Sequence, residues 1–271
     1  MQDSRIRELL ELTVDYLADE REYSRMRLFG ADTFDGLSND DLFAGFRALV
    51  NTRQPLPASE DFIQAQDELL QALIAEKGVS RVEDADQAPD DPRIRVWQGN
   101  IVTFAADGIV NAANSQMLGC WQPGHHCIDN AIHTFAGIQL RAECSQLMQA
   151  QGHEEPTGSA KITGAYNLPA KHVIHTVGPI ADGHPTPQHR EQLASCYSSC
   201  LDLAHEQGLS SIALCGISTG IFGFPREEAA RIAVKTVRAW LAEHPASKLV
   251  VVFDVYGAED EATYRHLLGM E

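Results

Sequence analysis

Apolar residues in the first part of the chain recur every three or four positions, which is the spacing of one face of an α-helix. The first such stripe consists of Ile6, Leu9, Leu10, Leu12 and Leu17. A second helix is predicted to begin at the polar cluster around Ser38, and a third near Ser59, ending at Lys77 before Gly78. Residues 1–85 show no strand-like alternation and no chemical motif. We therefore predict a helical extension that packs on the rest of the protein and has no activity of its own.

The pattern changes after an acidic segment with two prolines, residues 83–92, which predicts a linker or surface loop. Beyond it, short apolar runs alternate with helical stretches. Strands are predicted at 94–97, 109–113, 172–177, 212–215 and 249–255, and helices at about 128–149, 190–207 and 226–242. This alternation is typical of an α/β sandwich with a largely buried sheet. We predict a helical extension over residues 1–90 and an α/β domain over residues 91–271.

Charge and composition narrow the possible partners. The chain of 271 residues has a formal net charge of −17, which opposes long-range attraction of nucleic acid. No apolar run approaches the roughly 20 residues of a transmembrane helix, and the first residues contain no apolar signal region. We expect a cytoplasmic protein without membrane or nucleic-acid partners. An anionic ligand must then be held by local donors: backbone N–H groups, a helix N-terminus or a metal.

A short loop before the helix predicted at 128 concentrates cysteine and histidine. Zinc binds thiolates and imidazoles, and a turn in this loop would bring Cys120, His125 and Cys127 to one point. Three ligands leave an open position, as in catalytic zinc sites, whereas His126 or Cys144 as a fourth ligand would close it. The spacing matches none of the common zinc-finger patterns, so two buried thiols are an equal alternative. Cys127 at a helix start is also a candidate nucleophile.

Two asparagines and an aspartate flank this loop. Asn111 and Asn114 lie at the end of a predicted strand, where α/β sheets usually bind ligands. Their amides either hydrogen-bond a sugar diol or simply cap the strand end, and spacing alone favours the cap. Asp129 lies in the first turn of the next helix. It either complements the helix dipole or orients and activates a water molecule.

A glycine-rich segment, residues 216–225, joins a predicted strand to a predicted helix. Its glycines allow close backbone approach, and its N–H groups and the helix dipole suit phosphate oxygens. It lacks the Gly-Lys-Ser/Thr ending of a Walker loop. Near the C-terminus, Phe253 or Tyr256 is a candidate for stacking on a base, although core packing is the commoner role of such aromatics.

Together these motifs resemble a macrodomain, specifically the zinc-containing microbial branch often linked to class M sirtuins. The resemblance covers residues 93–256, and the helical extension is also typical of that branch. Asn111-Ala112-Ala113-Asn114 matches the asparagine–alanine–alanine–asparagine run of hydrolytic macrodomains, and Ile128-Asp129 matches their valine–aspartate pair. Between them, residues 119–127 replace the usual polyglycine loop, which is the specific mark of the zinc branch.

The resemblance implies a three-layer α/β/α sandwich with a mixed sheet, and ADP-ribose in a cleft at the strand ends. Asn114 and Asp129 are implied as catalytic residues near the distal ribose, with zinc on Cys120, His125 and Cys127. The residues implied to contact the diphosphate are Ser218, Thr219, Gly220, Ile221 and Phe222, and those implied near the adenine are Asn100, Ile101, Phe253 and Tyr256.

The sequence departs from the family at the first strand end. The family usually has glycine–aspartate–isoleucine there, with the aspartate reaching the adenine amine, whereas this chain has Gly99-Asn100-Ile101. An asparagine carbonyl still accepts that hydrogen bond, but without the assistance of a charge. Recognition of the adenine is expected to be weaker or differently arranged.

The resemblance therefore implies a zinc-dependent hydrolase that removes mono-ADP-ribose from modified proteins. Its expected partners are ADP-ribose and mono-ADP-ribosylated proteins. Two alternatives stay open: a reader module that binds ADP-ribose without turnover, and a hydrolase of small acyl-ADP-ribose molecules. A pure reader needs no zinc with an open position, so metal content distinguishes it from a hydrolase.

Overall fold

The first part of the chain is helical, as the apolar stripes predict. The structure, a computed structural model, describes residues 2–270. The helices of the extension are α1 (Gln2–Asp19), α2 (Arg25–Phe29), α3 (Asn39–Asn51) and α4 (Glu60–Lys77). Ser38 and Asp41 form a capping box at the start of α3, and the Ser59 side chain caps α4. The three predicted helices are confirmed, and the short α2 is an element that the stripes do not reveal.

The rest of the chain alternates strands with helices. The strands are β1 (Ser80–Arg81), β2 (Asp86–Gln87), β3 (Ile94–Gln98), β4 (Phe104–Ala105), β5 (Gly108–Ala113), β6 (Ala160–Gly164), β7 (His172–Val177), β8 (Ser211–Leu214) and β9 (Val250–Val255). The helices are α5 (Ile128–Ala136), α6 (Ile138–Gln151), α7 (Pro187–Glu206), α8 (Arg226–Glu243) and α9 (Ala258–Leu267). The five predicted strands are confirmed to within a residue.

In the described part of the chain, seven strands form one mixed sheet in the order β2-β3-β9-β8-β5-β7-β6. The five central strands run parallel, and β2 and β6 are antiparallel edges. Helices α5 and α6 form one layer, and α7, α8 and α9 form the other. The predicted α/β/α sandwich with a mixed sheet is therefore confirmed. Because the central strands are parallel, the segments that follow β3, β5, β8 and β9 meet at one edge, where α/β proteins bind ligands.

Strand β6 and helix α9 are not predicted from the sequence, and two further local features differ from the prediction. The segment 83–92, predicted as a linker, supplies β2, whose two residues are too few to show a strand period. The helix predicted over 128–149 is interrupted at Gly137, where φ is 97°. A Cβ atom at Gly137 would lie 2.6 Å from Gln66 Nε2 of α4, so the interruption is where the extension packs closely on the α/β part.

The extension shares its core with the rest of the protein. Helices α3 and α4 pack against α5, and the rings of Phe43 and Phe135 lie 5.6 Å apart across that contact. Buried side chains of both parts belong to one continuous cluster. The boundary near residue 90 stays a prediction, because β2 before it pairs with β3 after it. Among the described residues, no helix is both long and apolar enough to cross a membrane.

Candidate active site

The loop between β5 and α5 brings its cysteines and a histidine together. The ligand atoms of Cys120, His125 and Cys127 all lie within 4.8 Å of one another, and Cys120 Sγ is 3.6 Å from His125 Nδ1. Cys127 is also the N-cap of α5, where its Sγ accepts a hydrogen bond of 3.4 Å from Asn130 N. The helix start therefore fixes one ligand, and the turn through Gly124 returns the chain to it.

These three half-buried side chains form a donor set that fits zinc, which takes thiolates and imidazoles in tetrahedral sites. Neither proposed fourth ligand joins them. His126 is exposed, and Cys144 lies in α6 beside His175 instead. Within residues 2–270 the cluster thus has three members, the number that leaves an open position. Burial and the negative charges of Cys120 and Asp129 raise the pKa of Cys127, which disfavours its role as a free thiolate nucleophile.

The asparagines at the end of β5 converge on Asp129. Asn111 Nδ2 donates to Asp129 Oδ1 at 2.8 Å, and Asn114 Nδ2 lies 3.4 Å from Asp129 Oδ2. Asn114 Nδ2 also donates to the carbonyl of Gly119 at 3.1 Å, so it contacts the loop of residues 119–127 as well. Asn111 does more than cap a strand, because its amide fixes the carboxyl group of Asp129 in the interior.

Asp129 lies in an unusual environment for a carboxyl group. It is 5% exposed, and burial raises its pKa to about 6, against the opposing effects of the Asn111 hydrogen bond and the Arg141 guanidinium. A carboxyl group that ionises close to neutral pH is typical of sites that orient or deprotonate water. The predicted pair of Asn114 and Asp129 is thus brought together next to the loop that carries the Cys120, His125 and Cys127 cluster.

A second group of potential ligands, His133, Cys144 and His175, lies behind Asp129 and is fully buried. Asn111 Nδ2 is 3.1 Å from His175 Nδ1, and Thr163 Oγ1 is 3.0 Å from His175 Nε2, so both ring nitrogens of His175 have partners. Burial lowers the pKa of His175 to about 3 and that of His133 well below its usual value. These neutral rings pack around Asn111 and Asp129. Because both ring nitrogens of His175 already have partners, the loop with Cys120, His125 and Cys127 is the better candidate for a metal site.

The segment after β8 presents a row of backbone donors. In the described part of the chain, the N–H groups of Ser218, Gly220, Ile221 and Phe222 donate to no protein acceptor. The segment is fixed from behind: Phe224 N donates to the carbonyl of Ser218 at 2.9 Å, while the carbonyls of residues 222 and 223 accept from residues 181–183. The row precedes the N-terminus of α8, so its donors and the helix dipole together suit a diphosphate.

Two details of this segment support a ligand-facing role. Ser218 has a φ of 64° and a buried Oγ atom without a hydrogen-bond partner. A Cβ atom at Gly220 would meet no protein atom within 4 Å, so this backbone faces open space. Thr219 Oγ1 donates to the carbonyl of Gly216 at 2.8 Å and closes the turn, while Ile221 is 73% exposed.

Of the two aromatic residues predicted near the adenine, one is exposed and the other is buried. Tyr256 is 81% exposed just beyond β9, whereas Phe253 is 1% exposed and its ring lies 4.8 Å from that of Tyr264. Phe253 is therefore a core residue and does not offer its ring to a base. Asn100 uses its side chain to cap the turn at Val102, and the Ile101 side chain is buried.

Comparisons with known proteins agree with this geometry. A model of the Macro domain family matches residues 110–233. The protein-ADP-ribose hydrolase of Treponema medium is 52% identical over 226 residues, covering 82% of this chain and 85% of the relative. That of Staphylococcus aureus strain MRSA252 is 48% identical, covering 84% and 85%. Both alignments are longer than the segment 91–271, so they include part of the helical extension.

A solved structure adds a ligand-bound relative. The Trypanosoma brucei macrodomain in complex with ADP-ribose is 30% identical and superposes with a TM-score of 0.63, covering 82% of this chain and 95% of that chain. The sheet order, the site at the strand ends and these similarities agree: the chain belongs to the macrodomain family.

Proposed function

We propose that this protein is a zinc-dependent hydrolase that releases mono-ADP-ribose from modified proteins, cleaving the ester or glycosidic bond at the distal ribose. The observation that carries the proposal is the position of Asn114, whose amide contacts both the Asp129 carboxyl group and residues 119–127, named here the metal loop. Asn114 thereby connects the carboxyl group to the loop that carries three zinc-type ligands. The relatives named protein-ADP-ribose hydrolases support the same activity.

Each polar residue has a distinct task in this proposal. Asp129 orients the attacking water and accepts its proton, since its buried carboxyl group ionises near neutral pH. Asn111 holds that carboxyl group in place, and Asn114 presents an amide to the hydroxyl groups of the distal ribose. Zinc on Cys120, His125 and Cys127 would supply a Lewis acid for the reacting oxygen.

Binding of the rest of ADP-ribose is assigned to neutral groups. The net charge of −17 opposes an anion at long range, so affinity must come from close contacts. The free N–H groups of Ser218 and of residues 220–222 suit the diphosphate, and exposed Tyr256 suits the adenine. Shape and backbone donors also favour ADP-ribose over free phosphate or ATP, which lack the distal ribose.

Gly220→Val is expected to weaken ADP-ribose binding by at least about tenfold, because hydrogen bonds to charged groups are worth about 1.5–3 kcal/mol. The fold should survive, since a Cβ atom there meets no protein atom within 4 Å. Calorimetry with ADP-ribose measures the change, and Gly220→Ala, with a smaller side chain, should lose less. Native ADP-ribose affinity in both variants would show that this segment does not bind the diphosphate.

Tyr256→Ala is expected to weaken ADP-ribose binding by roughly 5- to 150-fold, because stacking on a base is worth about 1–3 kcal/mol. The side chain is 81% exposed, so its loss should leave the thermal midpoint unchanged. Titration of the variant with ADP-ribose and with ribose 5-phosphate tests the assignment. Only the ligand with the adenine should respond, and Tyr256→Phe should behave like the native protein.

The proposed function itself is tested by supplying the zinc-loaded protein with mono-ADP-ribosylated proteins of several linkage types. Release of free ADP-ribose, detected by mass spectrometry, is the expected result. Binding of ADP-ribose without release from any of them would instead identify a reader module. Release from acyl-ADP-ribose alone would identify a small-molecule hydrolase.

A further inference from the structure

The helical extension contacts the metal loop directly through Arg47 of α3. Arg47 Nε and Nη2 donate to Asn130 Oδ1 at 2.9 and 2.7 Å, and Nη2 also donates to the carbonyl of His125 at 2.9 Å. His125 is one of the candidate zinc ligands, and Asn130 is in the first turn of α5, whose N-cap is Cys127. One guanidinium group therefore bonds the backbone of His125 and the side chain of Asn130, whose own N–H group donates to Cys127 Sγ.

Asn51, one turn further along α3, holds the turn between the ligands. The residue is only 1% exposed. Its side-chain Oδ1 accepts hydrogen bonds from Gly124 N at 3.0 Å and from Asn130 Nδ2 at 2.8 Å. Its Nδ2 donates to Thr134 Oγ1 at 2.9 Å. The amide makes three of its four hydrogen bonds, and these contacts fix the tip of the loop to α3 on one side and α5 on the other.

A third contact ties the first stem of the loop to the end of α3. Arg141, 5% exposed in α6, donates through Nη1 to the carbonyls of Val50 and Arg53 at 2.8 and 2.7 Å. Its Nε donates to the carbonyl of Leu118 at 2.6 Å, and its guanidinium lies 4.3 Å from the Trp121 ring centre. The residues before and after Cys120 are thus linked to the extension as well.

The charge of Arg47 also suits the site. Its guanidinium donates to the His125 carbonyl and to Asn130 in the first turn of α5, so the positive charge lies beside the loop that carries Cys120 and Cys127. A guanidinium group stays charged in proteins and is weakly hydrated, which makes it an effective neighbour for buried thiolates.

We propose that α3 is a positioning element for the metal loop, with Arg47 and Asn51 as positioning residues that keep Cys120, His125 and Cys127 converged. This inference rests on the zinc site of the proposed function. It gives the helical extension a role in the site, in place of the simple packing that the sequence predicts. Partners that orient metal ligands in this way are typically worth 10- to 100-fold in metal affinity.

The test compares Arg47→Gln and Asn51→Ala with Arg53→Gln in the full-length protein. Arg53 belongs to the same helical extension, but its side chain pairs with Glu20 at 2.7 Å and with carbonyls of residues 54–57, none of them in the loop. Zinc affinity by chelator competition is expected to fall roughly 10- to 100-fold in the first two variants. It should stay native in Arg53→Gln, even though that change lowers the thermal midpoint.

Hydrogen exchange of residues 120–127 in the metal-free protein supplies a second readout. Exchange in the loop, including the Gly124 amide, should accelerate in Arg47→Gln and Asn51→Ala but not in Arg53→Gln. Native zinc affinity or native loop exchange in both loop-contact variants would overturn the inference, as would a loss of zinc that merely follows the thermal midpoint in all three. Absence of zinc binding in the native protein would instead overturn the zinc site, and the exchange data would still decide the positioning role.

Discussion

Asp129→Asn is expected to reduce release of ADP-ribose from mono-ADP-ribosylated protein by about 10²- to 10⁴-fold, the usual contribution of a general base. The amide keeps the shape of the side chain and can still accept the Asn111 hydrogen bond through its oxygen. It no longer accepts a proton from water. Because the group is 5% exposed and ionises only near pH 6, its replacement by a neutral amide should not destabilise the fold.

The measurement combines single-turnover kinetics with calorimetry on the same preparation. ADP-ribose affinity should stay within about tenfold of the native value, because Asn114 keeps its shorter hydrogen bond to the Gly119 carbonyl and the diphosphate segment is unchanged. Asp107→Asn is the matched control: its carboxyl group pairs with Lys171 at 2.7 Å at the opposite end of β5. Native turnover in Asp129→Asn would show that another group activates the water.

Cys127→Ser is expected to lose most bound zinc and, with it, most turnover. A hydroxyl group is a far poorer zinc ligand than a thiolate, and the remaining Cys120 and His125 are too few for a stable site. The fold should be kept, since serine is a good N-cap and still accepts the hydrogen bond of Asn130 N at the start of α5. Elemental analysis of protein purified without added metal gives the zinc content.

Cys144→Ser is the matched control for this variant. Cys144 lies 3.9 Å from His175 Nε2, away from the loop, and should not affect metal content. About one zinc per chain is expected in the native protein and in Cys144→Ser. Full zinc in a Cys120→Ser, Cys127→Ser double variant would contradict the loop site, and loss of zinc in Cys144→Ser would make Cys144 a ligand.

Local sequence signals account for much of the fold. Capping residues at Ser38 and Ser59 and the stripes behind them predict α3 and α4, and apolar runs predict the five longest parallel strands. The features that escape lack a local pattern. Strand β2 consists of two polar residues, too few for a strand period, and the break at Gly137 lies where the backbone approaches Gln66 of another helix. The Gln66 contact joins residues too far apart in the chain for a local window.

The residues of the candidate site were likewise predicted from the sequence only in part. The motifs around Asn114, Cys120 and Asp129 predict residues that the fold brings together, because the end of β5 and the start of α5 are close in sequence. The choice between Phe253 and Tyr256 depended on where the buried part of the run ends. Both faces of β9 are buried up to Val255, Tyr256 lies just beyond, and an apolar run does not specify its last buried residue.

The contacts of α3 were beyond the reach of motifs altogether. Arg47 and Asn130 are 83 positions apart, and both residue types are common on surfaces. Only packing of the extension onto α5 reveals that a helix without any motif of its own holds the metal loop.

The proposed function requires that turnover depend on zinc held by Cys120, His125 and Cys127. The most direct measurement is release of ADP-ribose from a mono-ADP-ribosylated protein before chelation, after removal of zinc, and after zinc is restored. We predict full release before chelation, a loss of about 100-fold or more after removal of zinc, and recovery when zinc is restored. Cys127→Ser should show no recovery. Undiminished release by protein shown to be free of zinc would show that turnover does not depend on the metal.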